Sequence, residues 1–232
     1  MTAWHEYKNK LNGTRSQDLP NLNVETPPTN SADAREVHKA SNINKISIYE
    51  QEIQTPFVIS NIFDDVYFNA LQKYAMNLWA NDDGSAFSES FGRYQWSNTE
   101  MLNKGSELLL PMAKEKFKSN TLKPSWNLLV TYQTPKAKLW KHKDDNACTY
   151  TIDYCLFQKT PWDLLVENKP YSLNENQALF MYGCDQEHWR EEFPSPETNL
   201  ISYVFYFFCE PDHWYFTKGP SYLDTVIRAK KQ

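Results

Sequence analysis

The chain has 232 residues, of which 41% are hydrophobic and 15% aromatic, and its formal net charge is -5. This length and apolar content suffice for one sizeable core, whereas the negative charge offers no electrostatic case for binding nucleic acid. No apolar run approaches the roughly 20 residues that span a bilayer, so we expect neither a nucleic-acid partner nor a membrane segment.

The first 45 residues differ in composition from the rest of the chain. The stretch from Leu11 to Ala34 is rich in Asn, Thr, Ser, Pro and Asp, with Pro27-Pro28 in its middle. Such a stretch buries little apolar surface. We therefore expect a polar N-terminal arm over 1–45, which could contribute to a homodimer contact, and one folded domain over 46–232.

Two helices are predicted in the first half of this domain. Apolar side chains at helical spacing follow Asp64 and predict a helix over 65–79. A second helix is predicted over 106–118, with Pro111 in its early turns, where proline is tolerated. The aromatic-rich segment 87–96 between the two helices is expected to be a loop or a short strand over a pocket.

Short, closely spaced β-strands are predicted after Pro124. Together with a first strand over 46–53, the predicted strands are 126–133, 138–142, 147–157, 161–167, 171–173, 177–182 and 199–208. The last strand is apolar on both faces and is therefore expected to lie centrally in its sheet. Strands that follow two helices in this way predict a mainly β sandwich or barrel with flanking helices on one side.

The four cysteines, at positions 148, 155, 184 and 209, follow no metal-binding spacing. Each lies in an apolar, strand-like context, which favours buried free thiols over disulfides. Free thiols, and N-terminal residues unlike those of a signal peptide, predict a cytoplasmic protein.

The triplet His142-Lys143-Asp144 is the first candidate site. Residues i and i+2 of an extended strand point to the same face, so one imidazole and one carboxylate can converge on a metal ion. Five histidines and 29 acidic residues predict roughly 0.6 such triplets by chance, so the pattern needs support from its context. His142 ends a predicted strand, and His188 can return to the same end of the sheet. Two imidazoles and a carboxylate leave positions open on non-haem Fe(II), although histidines satisfied at strand ends are also common.

The remaining histidines fit a metal site less well. His5 and His38 fall in the polar arm, where solvated side chains are expected. His213 could be a ligand together with Asp212, but a Pro-Asp turn that caps the preceding strand is the favoured interpretation.

Three blocks of sequence resemble the Fe(II)- and 2-oxoglutarate-dependent oxygenases, most nearly a bacterial and phage-type group of small prolyl-hydroxylase-like members. The blocks are His142-Lys-Asp144-Asp-Asn-Ala-Cys-Thr-Tyr-Thr-Ile-Asp-Tyr, then Pro161-Trp-Asp-Leu, then Asp185-Gln-Glu-His188-Trp-Arg190-Glu-Glu-Phe. A long aromatic strand follows, and the resemblance covers about 56–214. It implies a double-stranded β-helix (a jelly-roll, cupin-like fold) with Fe(II) held by the catalytic residues His142, Asp144 and His188.

The resemblance also implies the chemistry. In this family 2-oxoglutarate chelates the iron and is oxidatively decarboxylated by O2 to succinate and CO2, which drives oxidation of an unactivated C–H bond. The protein holds the ligands on one face, keeps the pocket dry and orients the substrate. Related halogenases carry a small residue in place of the carboxylate ligand, so the presence of Asp144 favours hydroxylation, desaturation or another oxygenase outcome.

One departure concerns the far carboxylate of 2-oxoglutarate. Many family members place a basic residue ten or more positions after the second histidine, but the stretch 198–204 contains none. Arg190 is the first candidate, because a forked guanidinium suits a carboxylate; a surface pair with a neighbouring glutamate is the alternative. Lys159 is the second candidate, and Tyr132 and Ser202 could supply hydroxyl groups.

The substrate is expected to be an amino-acid-like small molecule or a peptide side chain. Arg93 and Tyr94 lie in the aromatic segment that could cover a pocket, and Trp140, Asp145 and Asn146 flank the metal ligands. An acidic residue near the iron would suit an amine, and an arginine would suit a carboxylate. A solvated turn at 145–146 is the alternative interpretation.

A second function stays open at this point. A non-catalytic, cupin-like metal-binding or accessory module would keep the fold without binding the cosubstrate. The missing basic residue after His188 favours this alternative.

Overall fold

The computed structural model describes residues 55–81, 87–88, 91–132, 137–144, 146–194 and 201–217. The arm predicted over 1–45 and the strand predicted over 46–53 lie outside these residues. The helices are α1 (Asp65–Ala80), α2 (Glu100–Lys116) and α3 (Trp214–Thr217), with a 3-10 helix at Asn146–Cys148. The strands are β1 (Phe57–Ser60), β2 (Phe87–Ser88), β3 (Arg93–Ser97), β4 (Lys123–Tyr132), β5 (Leu139–His142), β6 (Tyr150–Gln158), β7 (Leu164–Val166), β8 (Lys169–Tyr171), β9 (Gln177–Met181), β10 (His188–Arg190) and β11 (Ile201–Cys209).

These strands form two antiparallel sheets. The larger sheet has the order β1-β9-β6-β11-β4-β3-β2, and the smaller has the order β5-β10-β7-β8. Along the chain, the strands of the smaller sheet alternate with strands of the larger one, so the chain passes repeatedly between the two sheets. This is the connectivity of a jelly roll. The predicted mainly β fold with flanking helices is therefore confirmed.

Buried side chains form one core on each face of the larger sheet. The inter-sheet core fills the space between the two sheets and includes Val130 of β4, Phe205 of β11 and Val166 of β7. The helix-side core lies on the other face and includes Leu71 of α1 and Leu109 of α2. Alternation along each strand of the larger sheet thus decides whether a side chain faces the smaller sheet or the helices.

The N-cap residues determine where the two long helices start. The Asp64 side chain accepts a hydrogen bond of 2.8 Å from the Tyr67 N–H and starts α1 as predicted. Helix α2 starts at Glu100 because Thr99 is its N-cap, so the predicted start at 106 was wrong. Pro111 consequently lies well inside α2 rather than in its early turns, as a proline that interrupts the helical hydrogen bonding there.

The strand predictions hold best where burial is most complete. Strand β11 is buried at every position and lies between β6 and β4 at the centre of the larger sheet, as predicted. The predicted strand 147–157 is shorter at its start, since Ala147 and Cys148 belong to the 3-10 helix. The segment 87–96 contributes β2 and the start of β3.

The four cysteines are free thiols, three of them buried and Cys184 partly exposed. This confirms the expectation of free thiols and corrects that of burial for Cys184. In the part of the chain that the structure describes, no helix has the length and apolar character needed to cross a membrane.

Candidate metal centre

Two neighbouring strands of the smaller sheet bring the two histidines together. His142 ends β5 and His188 begins β10, and the two residues are directly opposite each other in the antiparallel pair. Side chains at such positions project to the same face of a sheet. The ring centroids lie 4.3 Å apart, with the rings inclined by 52°.

The carboxylate joins this pair from the residues that follow β5. The Asp144 N–H donates a hydrogen bond of 2.8 Å to the Gly183 carbonyl. Its Oδ1 then lies 3.5 Å from Nε2 of His142 and 3.5 Å from Nε2 of His188. The ligand atoms of all three residues lie within 4.8 Å of one another. The structure therefore brings the three predicted ligands onto one site.

The backbone fixes which nitrogen each imidazole presents. His142 Nδ1 lies 2.6 Å from the Trp140 carbonyl, and His188 Nδ1 lies 2.9 Å from the Gln186 carbonyl. Because a carbonyl only accepts, each Nδ1 donates a hydrogen bond to it, and Nε2 is the nitrogen that each imidazole presents to Asp144. Hydrogen bonds of this kind orient histidines that bind metals.

Two further residues, which sequence reasoning missed, position the carboxylate. The Thr151 hydroxyl lies 3.2 Å from Asp144 Oδ2 and 3.0 Å from the Cys148 carbonyl, so two acceptors share its single proton. Gly183 packs so closely that a Cβ there would overlap Asp144 Oδ2 and the Thr151 hydroxyl, and would lie 2.8 Å from the Cys148 carbonyl. The one sequence signal for this contact is a glycine at the end of a buried strand, where close backbone approach is common.

The electrostatics of the site favour a cation between the three side chains. Burial opposes ionisation of Asp144, but His188 and His142 outweigh it and hold the pKa of the carboxyl well below its usual range. Burial likewise disfavours a charged His188, yet the Asp144 carboxylate raises the pKa of this imidazole overall. Two imidazoles and one anionic carboxylate are a donor set that fits Fe(II) and leaves coordination positions open.

Arg190 lies in the barrel interior, two residues beyond His188 on β10. Its guanidinium donates to Asp153 Oδ2 at 2.8 Å and to the Trp162 carbonyl at 2.6 Å. It also lies 3.9 Å from the centre of the Tyr203 ring. The side chain is fully buried, so the alternative of a surface pair with a neighbouring glutamate was wrong. Asp153 was missed from the sequence, although a carboxylate within an apolar strand is the kind of signal that marks a buried ion pair.

Arg93 and Tyr132 also meet in the interior. They are opposite each other across β3 and β4, and the Arg93 guanidinium donates a hydrogen bond of 2.8 Å to the Tyr132 hydroxyl. Tyr94 alternates to the helix side, where its ring stacks on Trp96. The structure therefore separates Arg93 and Tyr94, which the sequence had placed together over the pocket.

The other predicted site residues have different surroundings or lie outside the described residues. Ser202 bonds Thr131 on the helix-side face of the larger sheet, which turns it away from the barrel interior. Lys159 is exposed after β6, and Trp140 is exposed beside His142. Asp145 and the side chain of Asn146 are not among the described parts of the chain.

Comparison with profiles of protein families and with curated proteins found no match. Solved structures, by contrast, match about two thirds of the chain. HygX from Streptomyces hygroscopicus, with nickel and 2-oxoglutarate bound, has a TM-score of 0.53 and 7% identity, covering 68% of this chain and 83% of its own. SnoN, a non-haem α-ketoglutarate-dependent epimerase from nogalamycin biosynthesis, has a TM-score of 0.53 and 10% identity, covering 66% of this chain and 77% of its own.

A third similar structure is a prolyl hydroxylase from Trichoplax adhaerens in complex with a peptide of the hypoxia-inducible factor. It has a TM-score of 0.51 and 11% identity, covering 67% of this chain and 83% of its own. At these identities the likeness shows a shared fold. The metal-site geometry described above stands independently of it.

Proposed function

We propose that this chain, which has the jelly-roll fold of the Fe(II)- and 2-oxoglutarate-dependent oxygenases, is an oxygenase of that kind. One observation carries the proposal: His142, Asp144 and His188 converge at the end of the barrel with their ligand atoms within 4.8 Å of one another. When bound there, Fe(II) would supply the coordination positions at which 2-oxoglutarate and O2 react to give succinate and CO2.

The protein's own residues would hold and orient the reactants. Thr151 and Gly183 would hold Asp144 in place through contacts at its Oδ2, while its Oδ1 faces the two histidines. The inter-sheet core of aromatic and aliphatic side chains keeps water from the space between the sheets. A dry, shaped cavity and supported ligands are the protein's contribution to such chemistry.

For the substrate we propose an amino-acid-like small molecule or a peptide side chain that is hydroxylated at an unactivated C–H bond. The carboxylate of Asp144 supports an oxygenase outcome rather than halogenation. Two of the similar structures contain a bound peptide or small molecule, a fragment of the hypoxia-inducible factor in the prolyl hydroxylase and hygromycin B in HygX. Trp140, 54% exposed beside His142, offers an apolar surface at the mouth of the site.

The contact for the far carboxylate of 2-oxoglutarate has two buried candidates, Arg190 and Arg93. Arg190 already has a carboxylate partner in Asp153. A dicarboxylate that reached Arg190 would have to share this cation with Asp153 or replace it.

The occupied guanidinium of Arg190 also favours the second candidate function, a non-catalytic metal-binding module. Thermal unfolding with Mn(II), an inert substitute for Fe(II), separates the two functions. An oxygenase gains stability from Mn(II) and a further increment from N-oxalylglycine, because each ligand binds the folded state. A metal-binding module gains stability from Mn(II) alone.

The matched control for this experiment is His142→Ala. This change removes one proposed ligand from a partly exposed strand end, where we expect truncation to leave the fold intact. If the wild-type protein gains nothing from Mn(II), both candidate functions fail.

A further inference from the structure

Arg93 is a buried cation that no described acidic side chain balances. Only 7% of the surface of Arg93 is exposed to solvent. Among the described residues no aspartate or glutamate forms an ion pair with it, and its Nε has no hydrogen-bond partner. Within the described part of the chain, its side chain makes one hydrogen bond, to the neutral hydroxyl of Tyr132, at 2.8 Å.

Aromatic rings surround this guanidinium but do not balance its charge. The guanidinium carbon lies 4.5 Å from the centre of the Phe91 ring, 5.5 Å from that of Tyr132 and 5.9 Å from that of Phe205. A cation–π contact contributes roughly 0.5–2 kcal/mol, whereas withdrawing an ion from water costs several kcal/mol. Arg190, also a buried arginine, is neutralised in the usual way for a buried cation, by an ion pair with Asp153.

The Tyr132 hydroxyl has a proton to donate. It accepts a hydrogen bond from Arg93 and makes no other hydrogen bond within the described residues. A hydroxyl that accepts from a cation is polarised towards donating its own proton. Arg93 and Tyr132 therefore present several N–H groups and one O–H group that can donate hydrogen bonds to an anion.

This pair lies on the wall of the barrel that also supports the metal centre. The Tyr132 ring packs edge-on against Trp162, with the centroids 4.8 Å apart. Phe205, beside Arg93, lies 6.3 Å from Phe207, whose partner on β6 is Thr151. Thr151 in turn contacts Asp144, so a single row of side chains connects the guanidinium to the metal ligands.

We propose that Arg93 and Tyr132, enclosed by Phe91 and Phe205, form a carboxylate-binding subsite. A guanidinium binds a carboxylate through two parallel N–H groups, and the aromatic walls strengthen this attraction by excluding water. The carboxylate belongs either to 2-oxoglutarate or to the substrate that is oxidised. The identity of this ligand rests on the proposed oxygenase function, but the subsite itself rests on the buried charge of Arg93, which no described residue neutralises.

The test measures binding to the Mn(II)-loaded protein by titration calorimetry. The probes are 2-oxoglutarate and 2-oxopentanoate, in which a methyl group replaces the far carboxylate. If Arg93 holds the cosubstrate, Arg93→Met lowers the affinity for 2-oxoglutarate about 10- to 100-fold. The affinity for 2-oxopentanoate then stays unchanged. Lys73→Met, which removes an exposed cation on α1, is the matched control and changes neither affinity.

If Arg93 instead holds the substrate, 2-oxoglutarate binds equally well to both proteins. In that case N-acetyl amino acids raise the melting temperature of the wild-type protein loaded with Mn(II) and N-oxalylglycine, and their methyl amides do not. Arg93→Met abolishes the difference. Equal 2-oxoglutarate affinities, together with no carboxylate-dependent stabilisation, overturn the subsite.

Two further arms keep the test decisive. If Arg93→Met does not fold, Tyr132→Phe takes its place, because it keeps the ring and removes the hydroxyl. This variant must then bind the carboxylate probes more weakly than the wild-type protein does. If the wild-type protein does not bind Mn(II), the oxygenase proposal fails, and the metal-free protein is titrated with the same carboxylates and amides. Equal binding of each carboxylate and its amide there would overturn the subsite separately.

Discussion

The Arg190 guanidinium and the Asp153 carboxylate form an ion pair of 2.8 Å in the barrel interior, with both side chains almost fully buried. The pair connects β10, which carries His188, to β6, which carries Thr151. It therefore connects the strand of one proposed metal ligand, His188, to the strand that supports another, Asp144.

Removing one member of this pair should destabilise the fold strongly. Arg190→Met leaves Asp153 buried without its cation, and we expect the free energy of unfolding in urea to fall by about 3–5 kcal/mol. The double change with Asp153→Leu should restore most of this loss, because no unpaired charge remains. The exposed pair of Lys141 and Glu187, also 2.8 Å apart, is the control, and Lys141→Met should cost less than about 1 kcal/mol. A loss for Arg190→Met as small as that of the control would contradict the account.

Gly183→Ala should impair metal binding. The added Cβ would overlap Asp144 Oδ2 and push the carboxylate away from the two imidazoles. We expect Mn(II) affinity to fall about 10- to 100-fold, the usual effect of disturbing residues that support metal ligands. Gly105→Ala is the control, since its Cβ would overlap the hydroxyls of Tyr206 and Tyr67 in the helix-side core. That change should lower the melting temperature and leave the metal affinity unchanged, and equal metal affinities in all three proteins would rule out the proposed role of Gly183.

Thr151→Val should weaken the same site more mildly. It removes the hydroxyl that lies 3.2 Å from Asp144 Oδ2 while keeping a side chain of similar shape. We expect a loss of about tenfold in Mn(II) affinity, measured by calorimetry. Thr131→Val removes an equally buried hydroxyl, paired with Ser202 at 2.8 Å on the other face of the sheet, and should not change the affinity. A similar loss in both variants would show a general effect of destabilisation.

Much of this site could be predicted from the sequence, because its parts are local or periodic. The triplet His142-Lys143-Asp144 ends a strand, and the strand pattern after Pro124 indicated a barrel whose last strand is central. His142 and Asp144 lie in one short segment, so residue order alone indicates that they can share a ligand role.

The rest depends on pairing between distant strands. Which carboxylate balances Arg190 is decided by the approach of β10 to β6, so Asp153 could not be chosen from among many acidic residues. Ser202 seemed suitable by residue type, but alternation along β11 turns it to the helix side. Helix α2 was placed too late because the cap at Thr99 precedes the periodic apolar positions.

The most direct test of the oxygenase proposal is the formation of succinate from 2-oxoglutarate by the purified protein with Fe(II) in air. We predict succinate and CO2 in equal amounts, formed slowly without substrate and faster with the correct amino-acid-like or peptide substrate, and no succinate from His142→Ala or His188→Ala. A wild-type protein that binds Fe(II) but forms no succinate above these variants, with any such substrate offered, would contradict the proposal.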